Sequence, residues 1–256
     1  MTKATPTPRR KRRTQAERSD AMRRRLLQAT LDCLRSEGYA GTTVTKIVER
    51  AGVSRGAHVH HYPSKQALLV DAAEQLMRDG YKRIGEAMLQ QPAGKDRLPL
   101  LIMDWWRNLF GTPANQIYME LLIGSRQDPV LAEALGRLSR GAVEVMELAA
   151  RHFFESDDPA VDDILAPFLL NQWLLRGMAM DLVLVDDPAR LERYVELWGK
   201  LLASHIKLRE HIDTPPPRPS HWDTHVVDQM DAPAPPAAGD RKDQAGGRRK
   251  RTPRSS

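Results

Sequence analysis

Apolar residues recur every three or four positions along most of the chain to about residue 212. No stretch alternates with the period of two that a half-buried strand needs. The pattern predicts an all-α protein. Its most legible stretch runs from Thr42 to Lys65, TTVTKIVERAGVSRGAHVHHYPSK. Thr43 can cap a helix whose apolar face is Val44, Ile47, Val48 and Ala51. Gly52 follows, where a residue with positive φ ends a helix cheaply. Val53 is an apolar plug in the turn, and Ser54 can cap a second helix, Arg55 to Tyr62. Pro63 stops that helix, because the residue before a proline is pushed out of the α region. Ser64 then caps a third helix that begins at Lys65. Helix, glycine-containing turn, helix is the helix-turn-helix pattern, whose second helix enters a DNA major groove. That helix carries Arg55, His58, His60 and His61 and no acidic residue.

The flanking periodicity extends this picture. A helix from about Gln15 to Glu37 presents Met22, Leu26, Leu27, Thr30, Leu31 and Leu34 and ends at Gly38. The helix from Lys65 to about Gln90 is long enough to leave the head and enter the body, although Gly80 and Gly85 weaken it. Further helices are expected at about 95–110, 114–125, 129–154, 159–185 and 188–211. Asp128-Pro129, Asp158-Pro159 and Asp187-Pro188 read as helix starts, an Asp cap followed by Pro in the first turn. The 95–110 helix is apolar nearly all round and belongs at the centre of the body. The helices at 159–185 and 188–211 carry more apolar side chains than one domain hides, which points to a partner surface. Pro167 bends the first of these or marks a delayed start.

Charge sharpens the division. The net charge of +6 splits into +8 over residues 1–75, −4 over 76–212 and +2 over 213–256. A basic head on an acidic body suits a polyanion-binding head. Residues 1–14, with the run Arg9 to Arg13, read as a disordered basic arm, 15–75 as the head and 76–212 as the body. The stretch 213–256, with Pro215 to Pro217 and the basic cluster Arg248 to Arg251, reads as a disordered Pro-rich tail. The lone Cys33 excludes an intramolecular disulfide and sits among apolar neighbours. No apolar run is long enough for a membrane span, and the amino terminus lacks a secretory core segment. A reducing cytoplasm fits this composition.

The segments EGYAGTTV and GVSRGAHVHHYPSKQALL, within about Arg23 to Ala73, resemble the amino-terminal domain of the TetR/AcrR family of bacterial transcriptional regulators. His58 stands where that family usually has Leu or Ile, and Val59 where it often has Tyr. This leaves open which of the two faces the core. The resemblance implies base reading by Arg55, Gly56, Ala57 and His60, and sugar-phosphate contacts from Thr43, Thr45, His61, Tyr62 and Lys65. It also implies a homodimer through the helices at about 159–185 and 188–211, a palindromic double-stranded DNA operator, and a small-molecule effector in the body. Candidate effector contacts are Trp105, Trp106, Phe110, Tyr118, Met119, Asn171, Gln172 and Arg176, with Glu120 as a possible charged group.

The implied function is a ligand-responsive repressor. The alternative is a DNA-binding protein of the same fold without an effector, acting through a protein partner or DNA architecture. Arg55 can hold guanine O6 and N7 with two parallel bonds, and the Ala57 methyl can touch a thymine methyl. His58 and His61 can share a helix face, but no Cys, Asp or Glu joins them locally, so no metal site is expected. The chain has no P-loop, dinucleotide-binding glycine turn, Gly-x-Ser-x-Gly or His-Glu-x-x-His. Neither an enzymatic role nor a cofactor is expected.

Overall fold

The computed structural model describes residues 14–90, 97–219 and 222–227, with the side chain of Ala57 outside that set. Thr14 opens the first helix through a capping box with Glu17. Helix α1 spans Gln15–Gly41 but is broken at Gly38, whose φ of 66° lies in the left-handed region. Helices α2 (Val44–Ala51) and α3 (Arg55–Val59) follow, then α4 (Lys65–Gln90). The body contains α5 (Arg97–Trp105), continued by a π-helical turn over Trp106–Phe110, then α6 (Pro113–Ser125) and α7 (Pro129–Phe153). It ends with α8 (Leu165–Met180) and α9 (Pro188–Ala203). Two two-residue strands, β1 (Phe154–Glu155) and β2 (Lys207–Leu208), pair antiparallel with Phe154 opposite Leu208.

Three apolar clusters hold these helices. Leu26, Ala29, Cys33, Ile47, Ala51, Tyr62, Ala67 and Leu68 form the core of the head. Leu34, Leu69, Val70, Ala72 and Ala73 pack on Ile117, Leu121, Leu131, Ala134, Leu135 and Leu138, a seam between head and body. The third and largest cluster joins the second half of α4 to α5, α7, α8 and α9. Helix α4 contributes to all three, so the division expected near residue 75 runs through packed side chains. Where α5 meets α9, a Cβ on Gly199 would lie 2.9 Å from Pro99 Cα, so the two backbones touch.

The seam also has a polar clasp. Asp128 caps α7 through the Leu131 N–H and accepts bonds from the Tyr39 hydroxyl and Gln66 Nε2, each at 2.9 Å. Tyr39 rests on Gly124 of α6, where a Cβ would lie 2.4 Å from the ring. Burial and the bond to Asp128 push the Tyr39 hydroxyl up to about 12, so it stays protonated and donating.

Four sequence expectations need correction. Helix α3 ends at Val59, not Tyr62: the His61 and Tyr62 N–H groups both fold back to the His58 carbonyl as Tyr62 turns into the core. Helix α8 begins at Leu165, because Asp158 bonds instead to the Ala160 N–H and to His205, and Asp163 accepts the Leu165 N–H. Pro167 then falls in the first turn, the delayed start, where its missing N–H costs nothing. Helix α9 stops at Ala203, and buried Ile206 and Leu208 draw the following backbone into β2.

The fourth correction concerns the tail. Its described part, to Val227, returns along α4. The Arg78 guanidinium lies 5.3 Å from the Trp222 ring centre and donates to the Trp222 and Thr224 carbonyls. Glu74, only 3% exposed, takes the Arg78 guanidinium at 2.7 Å, the Val226 N–H at 2.8 Å and His225 Nδ1 at 3.1 Å. Val226 packs on the seam and Val227 on the head core. A carboxylate this buried needs such partners, and the tail supplies two of them. The expected basic arm, apart from Thr14, and the tail from 228 onward lie outside the described residues.

Candidate nucleic-acid interface and effector cleft

The interface is built from α2 and α3. Thr43 caps α2 by accepting the Lys46 N–H, and Gly52 ends it at φ 61°. Arg25 of α1 donates to the Ala51 carbonyl at 2.6 Å and to the Gly52 carbonyl at 3.2 Å. A cation at a helix C-terminus satisfies the last carbonyls and the dipole together. Ile47, Val48 and Ala51 are buried, which sets the rotation of α2 and the approach of α3.

On α3, Arg55 is exposed and its Nη2 donates to the Thr45 hydroxyl at 3.0 Å, tying the starts of the two helices together. Gly56 is exposed, and a Cβ there would meet nothing within 4 Å. Internal packing therefore gives no reason for glycine, whereas close approach by an outside surface does. Thr43, Thr45 and His60 are exposed and His61 is half-buried. The Ala57 side chain lies outside the described residues.

Two expected backbone contacts are placed differently. Tyr62 is fully buried and its hydroxyl donates to Asp71, with Arg23 stacked 5.6 Å from the ring centre. It cannot reach a phosphate; it anchors the end of the recognition segment to α4. The Lys65 ammonium sits 4.6 Å from the Tyr39 ring centre and donates to the Tyr39 carbonyl, and desolvation lowers its pKa. It braces the junction while remaining partly exposed.

Of the three consecutive arginines of α1, Arg23 lies against Tyr62 and Asp71 and Arg25 caps α2. The open rotation of α3 is settled: His58 is 5% exposed and Val59 64%. Burial lowers the His58 pKa and leaves its Nε2 without a partner, so the ring is neutral. Val59 is thus an apolar side chain on the reading face that the family pattern did not single out. The single signal was its departure from the usual Tyr.

Among the described residues no group of three metal-binding side chains comes together, and no helix is long and apolar enough to cross a membrane.

In the body, Phe110, Tyr118, Gln172 and Arg176 line one cleft between α4, α6 and α8. The other five candidates do not. Trp105 packs edge-on against Phe154 and Phe168, Trp106 is buried in the same core, and Asn171 accepts a bond from Trp198 Nε1 to join α8 to α9. Met119 faces a separate groove, and Glu120 accepts the Tyr39 N–H. Tyr81 and Asn115 also line the cleft; no motif marks them, because the cleft forms only when distant helices meet.

The comparisons agree with this arrangement. Residues 26–72 match the family model described as bacterial regulatory proteins, tetR family. The chain is 34% identical over 195 residues to the HTH-type transcriptional regulator CymR of Pseudomonas putida, covering 72% of this chain and 90% of the relative. The fold is that of a transcriptional regulator from Rhodococcus, with a TM-score of 0.57 and 19% identity over 71% of this chain and 96% of that one. A crystal structure of the multidrug binding protein EbrR complexed with imidazole is similar at a TM-score of 0.50, with 22% identity over 70% of this chain and 93% of that one. A solvent-facing recognition helix braced by a capped α2, a helical body behind it, and a relative matched along nearly its whole length lead to one conclusion: the chain belongs to the TetR family of helix-turn-helix transcriptional regulators.

Proposed function

We propose that the protein is a homodimeric repressor that binds a palindromic operator and is released by a small molecule held in the body. The observation that carries the reading is the pairing of two exposed faces. Arg55, Gly56, Val59 and His60 form one, suited to base edges and phosphates. Leu170, Trp173 and Leu174 of α8 with Tyr194, Leu197 and Leu201 of α9 form the other, each more than a third exposed. An apolar face of that extent calls for a partner, and a second copy pairs it with itself. Two heads then reach half-sites one helical turn (about 34–36 Å) or a multiple apart. Thr43, Thr45 and His61, with Lys65 at the edge, hold the sugar-phosphate backbone, and Ala57 stands beside Gly56 at the bases. The site of action is the bacterial cytoplasm, at the nucleoid.

The effector arm rests on the cleft beside α4. A ligand there touches the helix that also carries the head, so it can favour a conformer with the wrong head spacing. EbrR, similar in fold, is described as a multidrug binding protein.

Selection of duplexes from a random pool with the full-length protein tests the operator arm. The expected product is an inverted repeat, and Arg55→Ala should cost about 1–3 kcal/mol at one base position in each half-site. A protein that ignores duplex DNA at low salt sinks the reading. A broad panel of apolar and amphipathic compounds that leaves operator affinity unchanged sinks the effector arm.

A further inference from the structure

We infer that the cleft between α4, α6 and α8 takes a small organic monoanion, with Arg176 recognising its charge. The inference rests on the effector reading above and names the class of effector.

Arg176 projects from α8 with its guanidinium 5.1 Å from the Tyr118 ring centre and 5.9 Å from that of Phe110. Its Nε is buried and has no hydrogen-bond partner, and it forms no ion pair among the described residues. Arg97 and Arg137 also have a buried Nε without a partner, yet each uses another nitrogen, on the Arg209 carbonyl at 3.3 Å or on Glu133 at 3.5 Å. Arg176 has only two ring faces. Cation–π contacts offset part of the cost of withdrawing a guanidinium from water, but they leave its in-plane donors unused.

A second group points the same way. Asn115 of α6 is 8% exposed, lines the same cleft, and its Nδ2 is buried without a partner. A buried donor left unmatched costs free energy unless something brings an acceptor to it. A carboxylate brings two acceptor oxygens, one for each group, with a charge-assisted bond to the guanidinium.

The rest of the wall sets the body of the ligand. Met77, Tyr81 and Ile84 of α4 with Phe110 form the apolar wall of a small cleft of about 70 Å³ that opens to solvent. That lining suits the hydrocarbon part of a small ligand rather than a bulky one. Asp79 and Arg83 also line the cleft and offset each other, so Arg176 leaves it one net positive charge, the match for a single carboxylate.

The test uses the full-length protein on a labelled operator. Phenylacetate and octanoate are titrated beside their neutral amides, phenylacetamide and octanamide, following operator release by anisotropy and ligand binding by calorimetry. The acids should act at concentrations at least about ten-fold lower than the amides. In Arg176→Gln that ratio should fall towards one, while Arg176→Lys keeps part of it; thermal melts confirm that both variants fold. Amides that match the acids in the unaltered protein, or an acid preference that survives in Arg176→Gln, overturn the anion assignment and leave the effector reading standing. Acids and amides alike without effect overturn it too, and the effector reading then falls only if the broad panel is also inert.

Discussion

The recognition segment and the α8–α9 face are both exposed, but their chemistry is opposite. Along α2 and α3 the surface is Thr43, Thr45, Arg55 and His60, with Val59 as the one large apolar side chain exposed there. Along α8 and α9 it is Trp173, Leu170, Leu197 and Leu201. Helix α3 has five residues and offers too few base contacts to hold an operator alone. The α8–α9 face, apolar apart from the Tyr194 hydroxyl, suits the proposed pairing of two copies. On that proposal, linking two modest DNA contacts makes one firm one.

The sharpest way to break that dependence is to charge the apolar face. Trp173→Asp with Leu197→Asp should give a folded monomer in sedimentation, since both side chains are more than half exposed. Operator affinity should fall by about 10²–10⁴ as linkage is lost. A monomer that keeps its full affinity would mean that reading does not need pairing.

Next in size is the seam that fixes one surface relative to the other. Gly124→Ala puts a methyl where the Tyr39 ring now sits, 2.4 Å from the new Cβ. Overpacking of this kind costs about 1–3 kcal/mol. Chemical denaturation should show that loss, with Tyr39 displaced from Asp128.

The smallest effect belongs to His58, and it sharpens the account of the head. Its folded pKa lies below that of an ordinary imidazole, with burial as the cause. As pH falls below about 6.5 the unfolded chain binds the proton more readily, so stability drops on acidification and is intact above that range. His58→Leu removes this contribution and the orphaned Nε2, and should raise stability by about 1 kcal/mol at pH 6. A pH profile of melting temperature that is unchanged by the substitution would rule out His58 as the source.

These experiments bear on residues that were unequally legible in the sequence. The caps Thr43, Ser64 and Asp128 and the left-handed Gly52 stand within three residues of what they stabilise, so local pattern reveals them. Asp158-Pro159 looks the same as Asp128-Pro129 but starts no helix, because His205, distant in sequence, takes part of the carboxylate. Tyr62 matched a phosphate-binding position by register, yet Asp71 on α4 draws its hydroxyl inward. Nothing local marks Glu74 as buried; its partner Val226 lies far beyond any helical period. In the body, Phe110, Tyr118, Gln172 and Arg176 meet in one cleft, while Trp105, Trp106 and Asn171, equally plausible by composition, serve packing.

The return of Trp222 and Val226 to α4 has a consequence for how the molecule is made. The head is synthesised first, yet two of the groups that bond Glu74, His225 and the Val226 N–H, come from about 150 residues further along the chain. A product stopped before Trp222 thus keeps the proposed reading residues and lacks this fastening on α4.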